Sequence, residues 1–469
     1  MTLERGRLPK VDRVALAPEL DEARATLGRR VVVALARDAI AAARHATADG
    51  HPPATLDEIV ADVSARARAR GRARVVPALN ATGVVLHTNL GRAPLPAPAL
   101  ARIAACAAGY ASLEMDLPTG ARVRRGASAE ARLAALVGAR EALVVNNNAA
   151  GVLLALSGIA AGREVVVSRG ELVEIGGGFR IPEVLARSGC RLVEVGTTNK
   201  TRVEDFERAL GERTACLLRV HPSNFRIEGY AERPALGALA RLAHAHGIPI
   251  VKDLGGGRLG HVESPSLREE PTVEACLAAG ADLVCFSLDK LFGGPQGGAV
   301  VGDAARVRAL RDDPLARALR LDKLRLAALE AVLDAHERSA TEELPALAML
   351  LAPAEALLAR VEAWRQRLGP SDERLRVIET TAAVGGGSLA ELPLPSAALA
   401  IAGDDAEALA RALRCGEPPV VPRIERDRVL LDARTISPTD DERFVRAVAA
   451  ALGVTLAPAA ATAPADRPA

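Results

Sequence analysis

The sequence predicts an α/β protein: a central domain with a mostly parallel sheet, a small helical domain before it and a smaller α+β domain after it. Three observations carry this. Between about residues 85 and 330, short apolar runs alternate with helix-patterned segments, the rhythm of strands joined by crossover helices. The runs are apolar almost without interruption, as strands covered on both faces must be. Residues 1–75 differ in charge. They hold 14 Lys and Arg against 10 Asp and Glu, a net +4, while the whole chain is +2, so the remainder is about −2.

The first domain is expected over residues 1–76. Gly28–Thr47 is an amphipathic stretch, His51-Pro52-Pro53 a turn, and Ala54-Thr55-Leu56-Asp57-Glu58 a capping segment into another helix. Arg66, Arg68, Arg70, Arg72 and Arg74 follow among small residues. Such a run either meets a polyanion or is a solvated helix face.

In the central domain, 77–330, strands are expected at Glu141–Asn146, Glu164–Ser168, Arg191–Val195, Ala215–Val220, Pro249–Asp253, Asp282–Ser287 and Gly298–Val301. Helices are expected at Gly151–Ala160, Val203–Leu210 and Ala235–His246. From Asp322 one long helical pattern runs to about Gln366, and short strands and helices continue to Leu452. The third domain is placed at 331–455, and the Ala/Pro/Thr-rich tail, 456–469, is expected to be disordered.

Composition narrows the function. Aromatics are 2% of the 469 residues, so the core rests on Ala, Leu and Val, and base-stacking platforms are disfavoured. No apolar run reaches the roughly eighteen residues of a membrane span, and the N-terminus is charged from Glu4. The six cysteines are scattered without a CxxC or Cys–His cluster. Neither disulfides nor a metal site are expected, and a reduced cytoplasm is the default.

Three residues stand at expected strand ends: Asn224 after Ala215–Val220, Asp253 at the close of Pro249–Asp253, and Lys290 after Asp282–Ser287. Ligands of parallel sheets bind there. Each has a plainer reading: a turn asparagine, a helix cap, a solvated loop lysine. Together, with glycine runs after Asp253 and Lys290, they point to a buried site whose lysine can lose its proton. Asn146-Asn147-Asn148-Ala149-Ala150-Gly151 joins a strand to a helix, and Asn147, Asn148 and Ala149 can turn backbone N–H groups onto a phosphate. Alone, it would be an ordinary strand–helix turn. Ser287 is placed for another phosphate oxygen. The glycine-rich loop Ser168–Arg180 either borders the ligand or only permits close packing.

The order Asn224, Asp253, Lys290 resembles that of fold-type I pyridoxal 5′-phosphate enzymes, the aspartate aminotransferase-like fold. There the lysine carries the cofactor, the aspartate faces the pyridine nitrogen and the asparagine bonds the ring hydroxyl. Asn80–Leu95, Ser168–Phe179 and Asp289–Gln296, with Leu8-Pro9-Lys10-Val11-Asp12 and Gly385-Gly386-Gly387-Ser388-Leu389, resemble the bacterial selenocysteine synthases, the L-seryl-tRNA(Sec) selenium transferases. Met115 and Arg122–Arg125 depart from that pattern. The resemblance implies conversion of L-seryl-tRNA(Sec) to L-selenocysteinyl-tRNA(Sec), with Lys290 removing the Cα proton, hydroxide leaving Cβ and selenium arriving from selenophosphate. It implies that Arg92, Arg317 and Arg320 hold selenophosphate. Arg317 and Arg320 are spaced to share a helix face, and Arg92 is expected to come from a neighbouring subunit or a long arm. It also implies tRNA binding by the N-terminal domain and a homo-oligomer, a decamer. No membrane or DNA partner is implied.

Arg423 and Arg434 are positional candidates for a carboxylate clamp or plain packing residues. Two other functions share parts of the pattern: a lyase acting on a free amino acid or amino-sugar acid, and a tRNA-binding protein with a vestigial site.

Overall fold

The computed structural model describes residues 8–72, 75–175, 178–225, 227–386 and 393–457. It divides into two compact units, Met1–Pro77 and Ala78–Ala469.

The first unit is helical. Arg29–Ala48 and Leu56–Arg72 pack on the short helices Val11–Ala15 and Asp21–Leu27 around Val14, Leu20, Val32, Ala36, Ile40, Ile59 and Val63. The capping segment forms as expected. Thr55 N–H donates to Glu58 Oε2 at 2.7 Å, and Glu58 N–H donates to Thr55 Oγ1 at 3.3 Å. The arginine run does not make one stripe. Alternate helix positions lie about 200° apart, so Arg68 points away from Arg66, which pairs with Asp62 at 2.9 Å. Arg68 and Arg70 are exposed, and Arg74 lies outside the described residues.

Among the described residues the second unit holds fourteen strands: β1 (Leu79–Ala81), β2 (Glu141–Val145), β3 (Glu164–Ser168), β4 (Glu174–Ile175), β5 (Phe179–Arg180), β6 (Arg191–Val195), β7 (Thr214–Val220), β8 (Ile250–Gly255), β9 (Leu283–Ser287), β10 (Gly298–Gly302), β11 (Leu375–Ala383), β12 (Pro393–Ala402), β13 (Val420–Glu425) and β14 (Arg428–Asp432). Seven form one sheet in the order β2-β10-β9-β8-β7-β3-β6. Only β10 runs against its neighbours; β9, β8, β7, β3 and β6 pair in parallel. Separate cores cover its two faces, one around Phe286, Leu291, Phe292 and Leu329, the other around Val152, Leu156, Val165 and Leu218.

The smaller sheet runs β1-β13-β14-β12-β11. β1 pairs parallel with β13, so Leu79–Ala81 joins this sheet, although the sequence places it at the head of the central domain. The expected boundary at 330 falls inside the helix Lys323–Glu337, whose Leu326, Leu329, Val332 and Leu333 pack in the large sheet's core. The single long helix expected to Gln366 is three: Lys323–Glu337, Pro345–Leu351 and Ala354–Leu368. Pro345 and Pro353 break it, since proline cannot donate within a helix and its ring clashes with the preceding turn. At the tail, Arg367 holds Ala457 by two hydrogen bonds of 2.8 and 3.0 Å, so the chain is ordered two residues beyond the expected boundary. Residues 458–469 lie outside the described set. So do Gly176, Gly177, Gly387, Ser388 and Leu389.

Candidate active site

β7, β8 and β9 are neighbours in the sheet, so their carboxyl ends gather the three strand-end candidates. Asp253 pairs with Val220 on one side and Cys285 on the other. Its side chain is 4% exposed, and burial pushes its carboxyl above the usual range, against the Asn148 hydrogen bond and the Lys252 and Lys290 charges. Asn148 Nδ2 donates to Asp253 Oδ1 at 2.8 Å. The turn after β2 thereby reaches across the sheet to β8.

Lys290 is 5% exposed on the loop after β9. Burial, and next the Arg92 charge, push its amine below the ordinary lysine range. The loop is held by its own backbone: Leu291 N–H donates to Gly256 O at 3.0 Å, Leu288 N–H to Gly297 O at 2.9 Å. Gly257 has φ +72°, and a Cβ there would lie 2.7 Å from the Phe286 ring and the Ser287 carbonyl. Only glycine lets the two loops close together. Ser287 ends β9 and is buried.

The helix Asn148–Ala160 starts earlier than the expected Gly151, because Asn147 caps it. Asn147 Oδ1 accepts Ala150 N–H at 2.9 Å. Asn147 thus shapes the helix start, where the first backbone N–H groups of the helix have no carbonyl partner within it. Asn224 Nδ2 donates to Glu174 O at 2.7 Å, tying the segment after β7 to the loop Ser168–Arg180.

That loop has a second anchor the sequence does not announce. Glu171 accepts Arg219 Nε at 2.8 Å and Val220 N–H at 3.1 Å. His221, directly after β7, places Nε2 2.9 Å from Glu270 Oε2. A polar residue at a strand end was the available signal for His221. Glu171 and Glu270 had none, being single acids in loops.

Within its own chain, Arg92 lies against the Lys290 loop. Nη1 lies 2.8 Å from Asp289 Oδ2, and Ala93 N–H donates to Asp289 O at 3.4 Å. The segment Val85–Ala93 returns past β11, where Val85 N–H donates to Ala383 O, and so reaches the Lys290 loop. Arg92 has a left-handed backbone, φ 62°, unusual for a side chain with a Cβ.

Arg317 and Arg320 do come together, though not on one helix face. The helix Pro314–Leu319 ends before Arg320, which bridges to Val145. Both line a cavity of about 410 Å³ with Arg122, Arg124, Arg125 and Arg311. Arg92 is not among its lining residues. Arg423 and Arg434 pack the smaller domain. Arg423 bonds Thr82 O at 2.7 Å and Asp432 Oδ2 at 2.8 Å; buried Arg434 bonds Met349 O at 2.6 Å and the Pro395 carbonyl.

A pyridoxal 5′-phosphate molecule fits these groups. Asn148 Oδ1, Asn224 Oδ1, Ser223 Oγ and His87 Nδ1 are buried without a hydrogen-bond partner among the described residues, and such groups are costly to leave unmet. A cationic ring nitrogen would offset the burial of Asp253.

The large sheet has the aspartate aminotransferase-like arrangement. A solved D-glucosaminate-6-phosphate ammonia-lyase superposes with a TM-score of 0.59 over 82% of this chain and 97% of its own, at 19% identity. The protein has the fold-type I fold.

The L-seryl-tRNA selenium transferase family model matches residues 78–437, and the selenocysteine synthase N-terminal model matches 5–44. The L-seryl-tRNA(Sec) selenium transferase of Moorella thermoacetica is 46% identical, over 95% of this chain and 96% of its own. That of Geobacter sulfurreducens is 44% identical, over 94% and 98%. The chain belongs to the L-seryl-tRNA(Sec) selenium transferase family, the selenocysteine synthases, whose cofactor is pyridoxal 5′-phosphate. This sets aside the lyase and vestigial-site readings, since the likeness to the ammonia-lyase shows fold alone.

Proposed function

We propose that this chain converts L-seryl-tRNA(Sec) to L-selenocysteinyl-tRNA(Sec), with selenophosphate as the selenium donor. The observation that carries the reading is Asp253 and Lys290 buried at adjacent strand ends of a chain that matches the family over residues 5–44 and 78–437. When bound, the cofactor supplies the electron sink for breaking the Cα–H bond. Asp253 would face its ring nitrogen, Asn224 its ring hydroxyl, and Asn148, Ala149 and Ser287 its phosphate. Lys290 anchors it and, as an amine with a lowered pKa, takes the proton from serine Cα. Hydroxide then leaves Cβ as water after taking up a proton, selenium adds at the same carbon, its bond to phosphorus breaks as the phosphoryl group passes to water as phosphate, and Cα regains a proton from Lys290. Asp289, paired with Arg92, holds the lysine loop and keeps a guanidinium beside the amine.

Arg317 and Arg320 take the donor. Guanidinium forks match oxyanions in geometry and charge. Arg92, whose charge acts on the Lys290 amine and which does not line that cavity, meets the anion as it approaches Cβ. The net charge of residues 1–75, +4, supports tRNA binding by the first unit. Among the described residues no helix is long and apolar enough to cross a membrane; with six free cysteines, we place the enzyme in the cytoplasm. A decamer is the assembly the family resemblance implies.

The direct test is retention of the purified enzyme by serine-charged tRNA(Sec) against bulk serine tRNA, followed by conversion with selenophosphate. Equal retention, or no selenocysteinyl product, overturns the assignment.

A further inference from the structure

The arginine cavity contains its own anion. Glu114 lines it, 28% exposed, with Oε1 3.0 Å from Arg125 and 3.7 Å from Arg320 Nη1, and Oε2 3.2 Å from Arg122 Nη2. Three guanidiniums on one carboxylate is the constellation an oxyanion ligand would meet. We propose that Glu114 is a tethered counter-anion: it occupies the arginines before the donor arrives, and the donor's oxyanion displaces it from Arg320. This rests on the assignment of Arg317 and Arg320 to the donor.

The other acid in the cavity is differently placed. Glu130 is 4% exposed, accepts Val144 N–H at 3.1 Å and pairs with Arg124. It belongs to the scaffold beneath β2. Arg311 is held by Glu141 at 2.7 Å. Glu114 accepts no backbone N–H among the described residues. It rides on a small hairpin closed by the Met115–Arg122 bridge and by Val123 N–H donating to Glu114 O at 3.1 Å. The side chain can leave without breaking that hairpin.

The contact to Arg320 is the longest of the three, so it is the first to be exchanged. Arg317 has no ion-pair partner among the described residues and is available at the rim. Six arginines and two glutamates line the cavity, a net +4. Without the Glu114 charge it would be +5, so the carboxylate lowers the field that draws any anion in. It therefore sets a threshold: a multiply charged oxyanion outcompetes it where a singly charged one does not. The segment carrying Glu114 and Arg122–Arg125 is also where the sequence departs from the family pattern. The trait would accordingly be particular to chains with these residues.

The test uses the cofactor-loaded enzyme and seryl-tRNA(Sec), titrating selenophosphate, with inorganic phosphate as a competing anion. Glu114→Gln is expected to lower the half-saturating donor concentration and the phosphate inhibition constant together. Because an exposed pair is being removed, the change is about two- to fivefold. Glu114→Asp keeps the charge but draws it back by one methylene, so it moves both values the same way by less. Retained visible absorbance of the bound cofactor reports that each variant is folded. A half-saturating concentration that is unchanged or higher in Glu114→Gln overturns the inference, because Glu114 would then only be orienting the arginines. Arg320→Ala separates the two readings. If it raises the donor requirement while Glu114→Gln changes nothing, the site stands and the counter-anion falls. If Arg320→Ala leaves the donor dependence untouched, both fall.

Discussion

Lys290 sits between charges of opposite sign, Asp253 behind it and Arg92 across the Asp289 pair. Burial, reinforced by the Arg92 charge, outweighs the Asp253 carboxylate and keeps the amine ready to accept a proton. Borohydride reduction should therefore fix the cofactor on Lys290, and Lys290→Ala should bind seryl-tRNA(Sec) yet lose turnover; label on another lysine refutes this. Arg317→Ala and Arg320→Ala should still drive loss of hydroxide from the seryl ester but form product only at raised selenophosphate. One lost charge-assisted hydrogen bond of about 1.5–3 kcal/mol corresponds to roughly tenfold to a hundredfold. Arg→Lys should restore part of it, a point charge lacking the fork. His336 carries the pH prediction. Fully buried, its ring bonds Phe292 O at 2.8 Å and His261 Nε2 at 3.0 Å, and burial lowers its pKa to about 4. The unfolded imidazole takes up its proton below about pH 6.5, the folded one only near pH 4. The lowered pKa costs nothing above pH 6.5 and favours unfolding increasingly from 6.5 down to 4, by up to about 3 kcal/mol. Denaturant midpoints of the parent and His336→Gln across that window test it: the slope should flatten in the variant.

At the scale of elements, the start of the helix Asn148–Ala160 is held against β10 by a missing side chain. A Cβ on Gly298 would lie 2.3 Å from the Asn147 carbonyl, closer than any contact allows without moving the helix N-terminus. Gly298→Ala should thus weaken cofactor retention, read as loss of visible absorbance on dialysis, while Gly151→Ala, whose Cβ would come no closer to a neighbour than 3.2 Å, to Val300 Cγ2, should lose less. Equal retention in Gly298→Ala would move the phosphate site elsewhere. Much of this level was legible in residue order. Glu164–Ser168 appears with the expected bounds, because a buried parallel strand leaves an uninterrupted apolar run; the edge strand Arg191–Val195 also keeps its bounds, on the shorter apolar signal of Leu192, Val193 and Val195. The break in the helix beyond Asp322 is not legible there, since a continuous apolar pattern runs through Pro345 and Pro353.

For the whole molecule, the division at Pro77 gives the first unit its own core. Deleting Met1–Pro77 should abolish tRNA binding and leave the cofactor absorbance intact, and tRNA affinity of the full chain should fall steeply with salt as counterions are released. Unchanged affinity in the truncated enzyme would remove the first unit from recognition.

The strand-end residues Asn224, Asp253 and Lys290, and the sheet that presents them, were determined by local pattern: strand periodicity and glycine-rich turns act over a few residues and are written in order. What only the tertiary structure decided are the contacts between distant segments. Asn148 meets Asp253, Arg92 meets Asp289 within one chain, β1 crosses to β13, and Glu114 closes on Arg122, Arg125 and Arg320. Each pairing depends on how helices and sheets pack. Packing is set by burial summed over the whole core, which no single stretch of residues carries.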